Sequence, residues 1–161
     1  MKKSQQPISK IETPRKKLEE IAGLSKHAIA MCRMNKSDAI HDAIVKKVAG
    51  RLDSNRYDVY MNVGGNKNVH IKGNYPDVIM AAKGTLKAEF ILEVATPKDL
   101  TVVNAERKWK KYASEISATP CIVVPESGEM KAQHLCNRVG LKARLATYDV
   151  DTSGDISLTF K

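Results

Sequence analysis

Apolar and polar positions recur at two different periods along this chain, and the switches between them divide it into elements. From Ser37, an N-cap residue type, Ile40, Ile44, Val48 and Leu52 recur every fourth position, the stripe of an amphipathic helix. Asp53-Ser54-Asn55 then breaks the pattern, and YDVYMNV reads as a strand followed by the turn GGNKN. A short extended piece, VHIKG, continues the hairpin. Pro76 opens a strand over DVIMAAK, Gly84-Thr85 turns the chain, and LKAEFILEVAT is the clearest strand of all. A helix is predicted from about Asp99 to Ile116, ending before Pro120. CIVVP is a short continuous apolar run, as expected of a buried strand. Ser127 caps a further helix through Cys136 that stops at Gly140, and two last strands, ARLATYDV and ISLTF, flank the turn residues DTSGD.

Ahead of Ser37 the pattern weakens. Residues 1–12 are polar without periodicity and read as a basic, flexible arm. Thr13-Pro14 offers an N-cap followed by proline at the first helical position, so residues 13–36 read as a helical extension, interrupted at Gly23 and capped again at Ser25. AGLS followed by KHAIAMC resembles the turn and recognition helix of a helix-turn-helix. Glu19, however, stands where that motif wants a small residue, and an amphipathic helix pair laid against the domain fits better. Residues 37–161 form one α/β domain, in the order helix, three strands, helix, strand, helix, two strands. The order predicts a central mixed sheet flanked by helices.

Composition narrows the setting. A chain of 161 residues that is 42% apolar can build a core without disulfide or metal staples. Cys32, Cys121 and Cys136 are an odd number at irregular spacing, which suits a reducing compartment. Nothing approaches the roughly 18 continuous apolar residues of a membrane span. No apolar run follows the basic start MKKSQQPISK, so no signal peptide and no membrane partner are expected, and the expected location is the cytoplasm. The net charge is +9, and six basic residues (Lys2, Lys3, Lys10, Arg15, Lys16, Lys17) face a single acid, Glu12, in the first seventeen positions. Such a balance draws a protein toward nucleic acid or another polyanion.

The chemistry lies in the strand pair 77–83 and 86–95. Side chains alternate along a strand, so Ala88, Phe90, Leu92 and Val94 share one face, expected to lie on a helix. Lys87, Glu89, Ile91, Glu93 and Ala95 share the other. Glu93 is therefore a carboxylate near the end of a strongly apolar strand, a costly place for an unpaired charge. Asp77 begins the adjacent strand, where a short turn brings it beside Glu93. Two converging carboxylates suit a hard divalent cation such as Mg²⁺, which beside a phosphodiester polarises a phosphoryl oxygen and activates a water. The following helix adds Lys98, Arg107, Lys108, Lys110 and Lys111 against Asp99 and Glu106.

Blander readings stand beside this one. Asp77 after proline also suits a strand start, and Glu93 also suits a structural pair with a buried Lys or Arg. Trp109, Tyr112 and Ile116 supply the helix's apolar contacts, with Trp109 a core residue. The spacing of Cys121, His134 and Cys136 is not that of structural zinc, and Cys121 reads as a buried thiol. His27, His41 and His70 show no arrangement for nucleophilic catalysis, and Gly64-Gly65 reads as a hairpin turn.

Tyr75-Pro76-Asp77, a strand and turn, then Ile91-Leu92-Glu93-Val94-Ala95 resembles the signature of the PD-(D/E)XK, or restriction-endonuclease-like, nucleases. The element order matches that family's αβββαβ core, over roughly residues 37–125. The resemblance implies that Asp77 and Glu93 bind Mg²⁺ or Mn²⁺, with the backbone carbonyl of Val94 as a further ligand. Where the family carries its lysine, two residues after the glutamate, this chain has Ala95. Some members move that lysine to a neighbouring element and others have lost catalysis. Lys108 and Tyr112, four apart on one helical face, are similar to the Gln-x-x-x-Tyr motif of exonuclease-like members, with lysine in place of glutamine. Lys108 is the candidate substitute cation and Lys83 the second choice, because it shares a strand face with Asp77. Asp38, His41 and Asp42 are candidates to complete the site from the Ser37 helix. Lys98, Arg107, Lys110, Lys111 and Tyr112 are the candidate nucleic-acid contacts.

The function implied is a metal-dependent nuclease-like protein hydrolysing phosphodiester bonds of DNA. The alternative is a catalytically inactive nuclease-fold protein that binds nucleic acid or another protein. A third reading is a structural subunit of a larger assembly, tethered by the arm. Nucleases of this kind often act as dimers, which leaves a homodimer open.

Overall fold

The computed structural model describes residues 36–161 apart from Asn66. The arm at residues 1–12 and the extension at 13–36, but for Lys36, lie outside the described residues. Helix α1 spans Lys36–Gly50, so Ser37 falls inside it rather than capping it. Strands β1 (Tyr57–Met61), β2 (Val78–Ala82) and β3 (Ala88–Val94) follow. Helix α2 is assembled from three consecutive segments, Val102–Asn104, the π turn Ala105–Trp109, and Lys110–Glu115. Strand β4 is Thr119–Pro125, helix α3 Glu129–Val139, and strands β5 and β6 are Arg144–Val150 and Ile156–Phe160. The order of elements is the predicted one. Ser127 belongs to a short 3-10 turn, and Gly128 occupies the N-cap of α3 in its place. Gly140 ends α3 in the left-handed conformation at φ 70°, as the sequence required.

The six strands form one mixed sheet in the order β1-β2-β3-β4-β5-β6. β3 pairs with β4 and β4 with β5 in parallel, and the other neighbours are antiparallel. Parallel neighbours need crossover connections; α2 and α3 supply them, and both pack on the same face. There Trp109, Tyr112, Ala132 and Leu135 meet Ile79, Ile91, Ala95, Ile122 and Val124. On the opposite face Ile44, Val45 and Val48 of α1 meet Val78, Leu92, Val94, Val123 and Tyr148. The result is three layers, with the central strands covered on both sides. Among the described residues no helix is long and apolar enough to cross a membrane.

Three further expectations change. Ile40 does not join the apolar stripe of α1: it is exposed, and the buried face begins at Ile44 and Val45. Ala88 does not share a face with Phe90, Leu92 and Val94. The register between β2 and β3 slips at Met80/Ala81, an extra residue enters β3, and Ala88 turns to the α2 side beside Ile79 and Ile91. VHIKG does not extend a hairpin either. Ile71 bridges only Asn74, and the Asn62 side chain ties the two ends of the loop together. The Asn62 amide donates to the carbonyls of Val69 and Pro76, each at 2.7 Å, while its oxygen accepts from the N–H groups of Asn68 and Val69. Asn62 thus delivers the chain to Asp77.

Candidate functional site

Asp77 immediately precedes β2 and Glu93 is the penultimate residue of the antiparallel β3, so the two carboxylates meet at one end of the sheet. Both are buried, 6% and 5% exposed. They line a cleft of about 270 Å³ together with His41, Lys98, Arg107 and Lys108.

Each acid is held differently. Asp77 Oδ2 accepts the Val94 backbone N–H at 2.8 Å and lies 3.2 Å from His41 Nε2. His41 Nδ1 lies 3.4 Å from Asp42 Oδ1, and Asp42 Oδ2 accepts the N–H of Gly64 at 2.8 Å. α1 therefore reaches the end of the sheet through His41 and braces the turn after β1 through Asp42. The hydrogen bond to Asp77 lifts the His41 pKa from 6.5 to about 9, against the opposing effect of burial. His41 is thus an imidazolium at neutral pH.

Glu93 accepts from two residues of α2. Lys108 Nζ bonds Oε1, and the Tyr112 hydroxyl donates to Oε2 at 2.8 Å. Burial raises the Glu93 carboxyl above the ordinary carboxylate range, and the charge of Asp77 raises it further, while Lys108 and Tyr112 pull it back. Burial is the largest single influence on the Lys108 ammonium and acts to lower it, but the charges of Glu93 and Asp77 and the hydrogen bond to Glu93 together outweigh it, and the net shift is upward. Burial and then Glu93 push the Tyr112 phenol well above its usual value. Lys108 and Tyr112 converge here because residues four apart share a helical face, and Trp109 and Tyr112 bury that face against the sheet.

Of the residues singled out from the sequence, the fold brings together Asp77, Glu93, Val94 and Lys108, with Lys98 and Arg107 on the cleft wall. From the trio on α1, His41 touches Asp77, Asp42 stands behind it, and Asp38 lies 3.6 Å from Lys98. Lys110 and Lys111 are exposed farther along α2. Two assignments are corrected. Tyr112 is 2% exposed with its hydroxyl on Glu93, so it presents no surface to a nucleic acid. Lys83 sits beyond the opposite end of β2, 3.0 Å from Asp58, because facing the same way along a strand does not mean being near. Cys121 and Cys136 are thiols that burial pushes up to about 11.

Sequence reasoning missed three contributors. Asn62 clamps the loop before Asp77, and the polar residue closing YDVYMN was its only signal. Asp99 accepts from the Thr96 N–H and hydroxyl, shaping the exit from β3; a Thr-Pro-x-Asp capping pattern announces it. Tyr148 of β5 donates its hydroxyl to the Ala95 carbonyl at 3.2 Å, across strand pairings that no local pattern reveals.

Among the described residues no group of three or more His, Cys, Asp and Glu stands ready to enclose a metal ion. That excludes a closed cage of such ligands there. It leaves the donor set of a hard cation that takes one or two carboxylates and keeps its waters, which Asp77 and Glu93 fit. No protein-family model matches this chain, and neither a curated protein nor a solved structure matches it.

Proposed function

We propose that this protein is a metal-dependent nuclease-like protein of the PD-(D/E)XK kind, hydrolysing phosphodiester bonds of DNA. The observation that carries the reading is the Asp77–Glu93 pair: two buried like charges on adjacent strands, facing a cleft whose walls carry Lys98, Arg107 and Lys108. Two like charges held together out of water oppose folding, and a bound divalent cation removes that opposition. Mg²⁺ or Mn²⁺ would be held by Asp77, Glu93 and the Val94 carbonyl, and when bound supplies a polarised phosphoryl oxygen and an activated water. The observed order of strands and helices, and the parallel β3–β4 pair, agree with the αβββαβ core of that family.

The chain's own groups have distinct tasks. Lys98 and Arg107 attract and seat the phosphate backbone. Lys108 stands at Glu93 in place of the lysine absent at Ala95, and its ammonium offsets negative charge that grows on the phosphate. Tyr112 holds the Glu93 carboxylate at a fixed orientation, and His41 does the same for Asp77.

One observation favours a second reading, a binding module that does not cut. Both oxygens of Glu93 already have protein partners, as in a purely structural ion pair. Calorimetry with Mg²⁺ or Mn²⁺ separates the two. The nuclease reading expects binding that is lost in Asp77→Ala/Glu93→Ala, together with Mg²⁺-dependent cleavage that Asp77→Ala abolishes. Salt-sensitive DNA binding with no metal uptake and no cleavage would establish the binding module instead.

A further inference from the structure

A second cavity, of about 420 Å³, adjoins the acidic cleft and shares Thr96 and Lys98 with it. Its volume falls within the range of about 300–1,000 Å³ typical of small-ligand sites. Its character is the opposite of the cleft's. Ile40, Pro97, Pro125, Tyr148 and Val150 make its wall predominantly apolar, with Asp149 its only acid. Among the described residues, Ile40 and Val150 are 40% and 36% exposed, hydrophobic surface on the wall of this cavity. The two hollows are mechanically joined as well, since Tyr148 lines the apolar one and bonds the carbonyl of Ala95, two residues after Glu93.

An ionic trough and an apolar hollow divided by a lysine match the two halves of a nucleotide, a charged phosphate and a flat, largely apolar base. Within a duplex the base is stacked and paired, so it cannot leave the helix axis without the cost of unpairing. We infer that the Ile40–Val150 cavity receives an unpaired nucleobase next to the phosphate held in the cleft, so that the preferred substrate is single-stranded or frayed DNA. This rests on the nucleic-acid reading proposed above and goes beyond it in naming the form of the substrate. Lys98, on both walls, lies where the linking phosphate would pass, and Pro97 and Pro125 give the base flat surfaces to lie on. Loss of one stacked base typically weakens binding by about fivefold or more.

The test uses the full chain with Ca²⁺ in place of Mg²⁺. The probes are an oligodeoxynucleotide bearing 2-aminopurine at alternate positions and its fully paired duplex. The single strand is expected to bind more tightly and to change its fluorescence on binding where the duplex does not. Ile40→Gln and Val150→Gln, uncharged changes outside the acidic cleft, are each expected to weaken single-strand binding by about fivefold or more and to leave duplex binding unchanged. Equal binding of both forms, with no fluorescence change and no effect of either variant, overturns the base site while leaving the nuclease reading standing. Intact strand preference in both variants, with unfolding temperatures lowered in the absence of DNA, shows that the chain itself fills the cavity and also overturns the inference. Binding of neither oligonucleotide removes the nucleic-acid reading and this inference with it.

Discussion

The two ends of β2 carry the same ingredients in opposite surroundings. At one end Lys83 lies 3.0 Å from Asp58, both open to water, and the Gly84 N–H together with Lys83 holds the Asp58 carboxyl below its usual range. At the other end Asp77 and Glu93 are buried, and three side chains from two helices converge on them. The exposed pair costs little to form and contributes little, because water screens it and two long side chains must be ordered. The buried group costs desolvation for every charge in it, and its mutual attractions only partly offset that. A chain could close this end of the sheet with valine and leucine at less expense. That it carries two acids, a lysine and an imidazolium instead points to a use other than folding.

The comparison breaks most visibly with pH. In metal-free protein, His41 titrates near 9 when folded and near 6.5 when unfolded. A raised pKa means that the folded state binds the proton more tightly, so the stabilisation is complete below about 6.5 and disappears as the pH rises through 9. The wild type is expected to lose up to roughly 3 kcal/mol across that window, by the usual conversion of about 1.4 kcal/mol per unit. His41→Asn, followed by urea unfolding in the presence of a chelator, should lose this part of the slope. An unaltered profile would place the His41–Asp77 interaction outside the folding energetics.

A smaller effect, of about 2 kcal/mol, is expected from Lys108→Met, which strands the Glu93 carboxylate. The figure lies below the 3–5 kcal/mol typical of broken buried pairs because Lys108 is more than a third exposed. Glu93→Gln should cost less than half as much, since the Lys108 ammonium it leaves behind can turn to water. Equal costs in urea denaturation would contradict this asymmetry of burial. Least of all is expected from Lys83→Met, with no measurable change in the unfolding midpoint; a clear drop would mean that the two ends of β2 are energetically alike.

Much of this architecture is written locally. The apolar periods of residues 44–48, 78–82, 88–94 and 119–125 and the punctuation by Gly84 and Gly140 are enough to order the elements. Asp77 and Glu93 stand out because a charge in an apolar strand is conspicuous, and Lys108 with Tyr112 because a helix places residues four apart on one side. What stayed hidden depends on how elements lie against one another. Ala88 changes face through a bulge whose cause is the pairing of two strands. His41 could not be told from Asp38 and Asp42, because the angle at which α1 crosses the sheet end decides which of them reaches Asp77. Lys83 looked suitable because alternation reports direction and says nothing of distance. Tyr148 acts across three strands, from β5 to the end of β3, and only the assembled sheet brings it there.

The Asn62 clamp has a consequence for how this chain tolerates change in length. One planar amide grips the main chain at Asn68, Val69 and Pro76, and the Asn62 N–H adds a bond to the Asp77 carbonyl at 2.9 Å. The segment from Val69 to Pro76 is therefore a measured length, fixed at both ends to a single side chain. An inserted or deleted residue there cannot be absorbed as it would be in an ordinary surface loop. It would shift Asp77 along the axis of β2, and because neighbouring strand residues face opposite ways, a slip of one position would aim the carboxylate at α1 and away from Glu93.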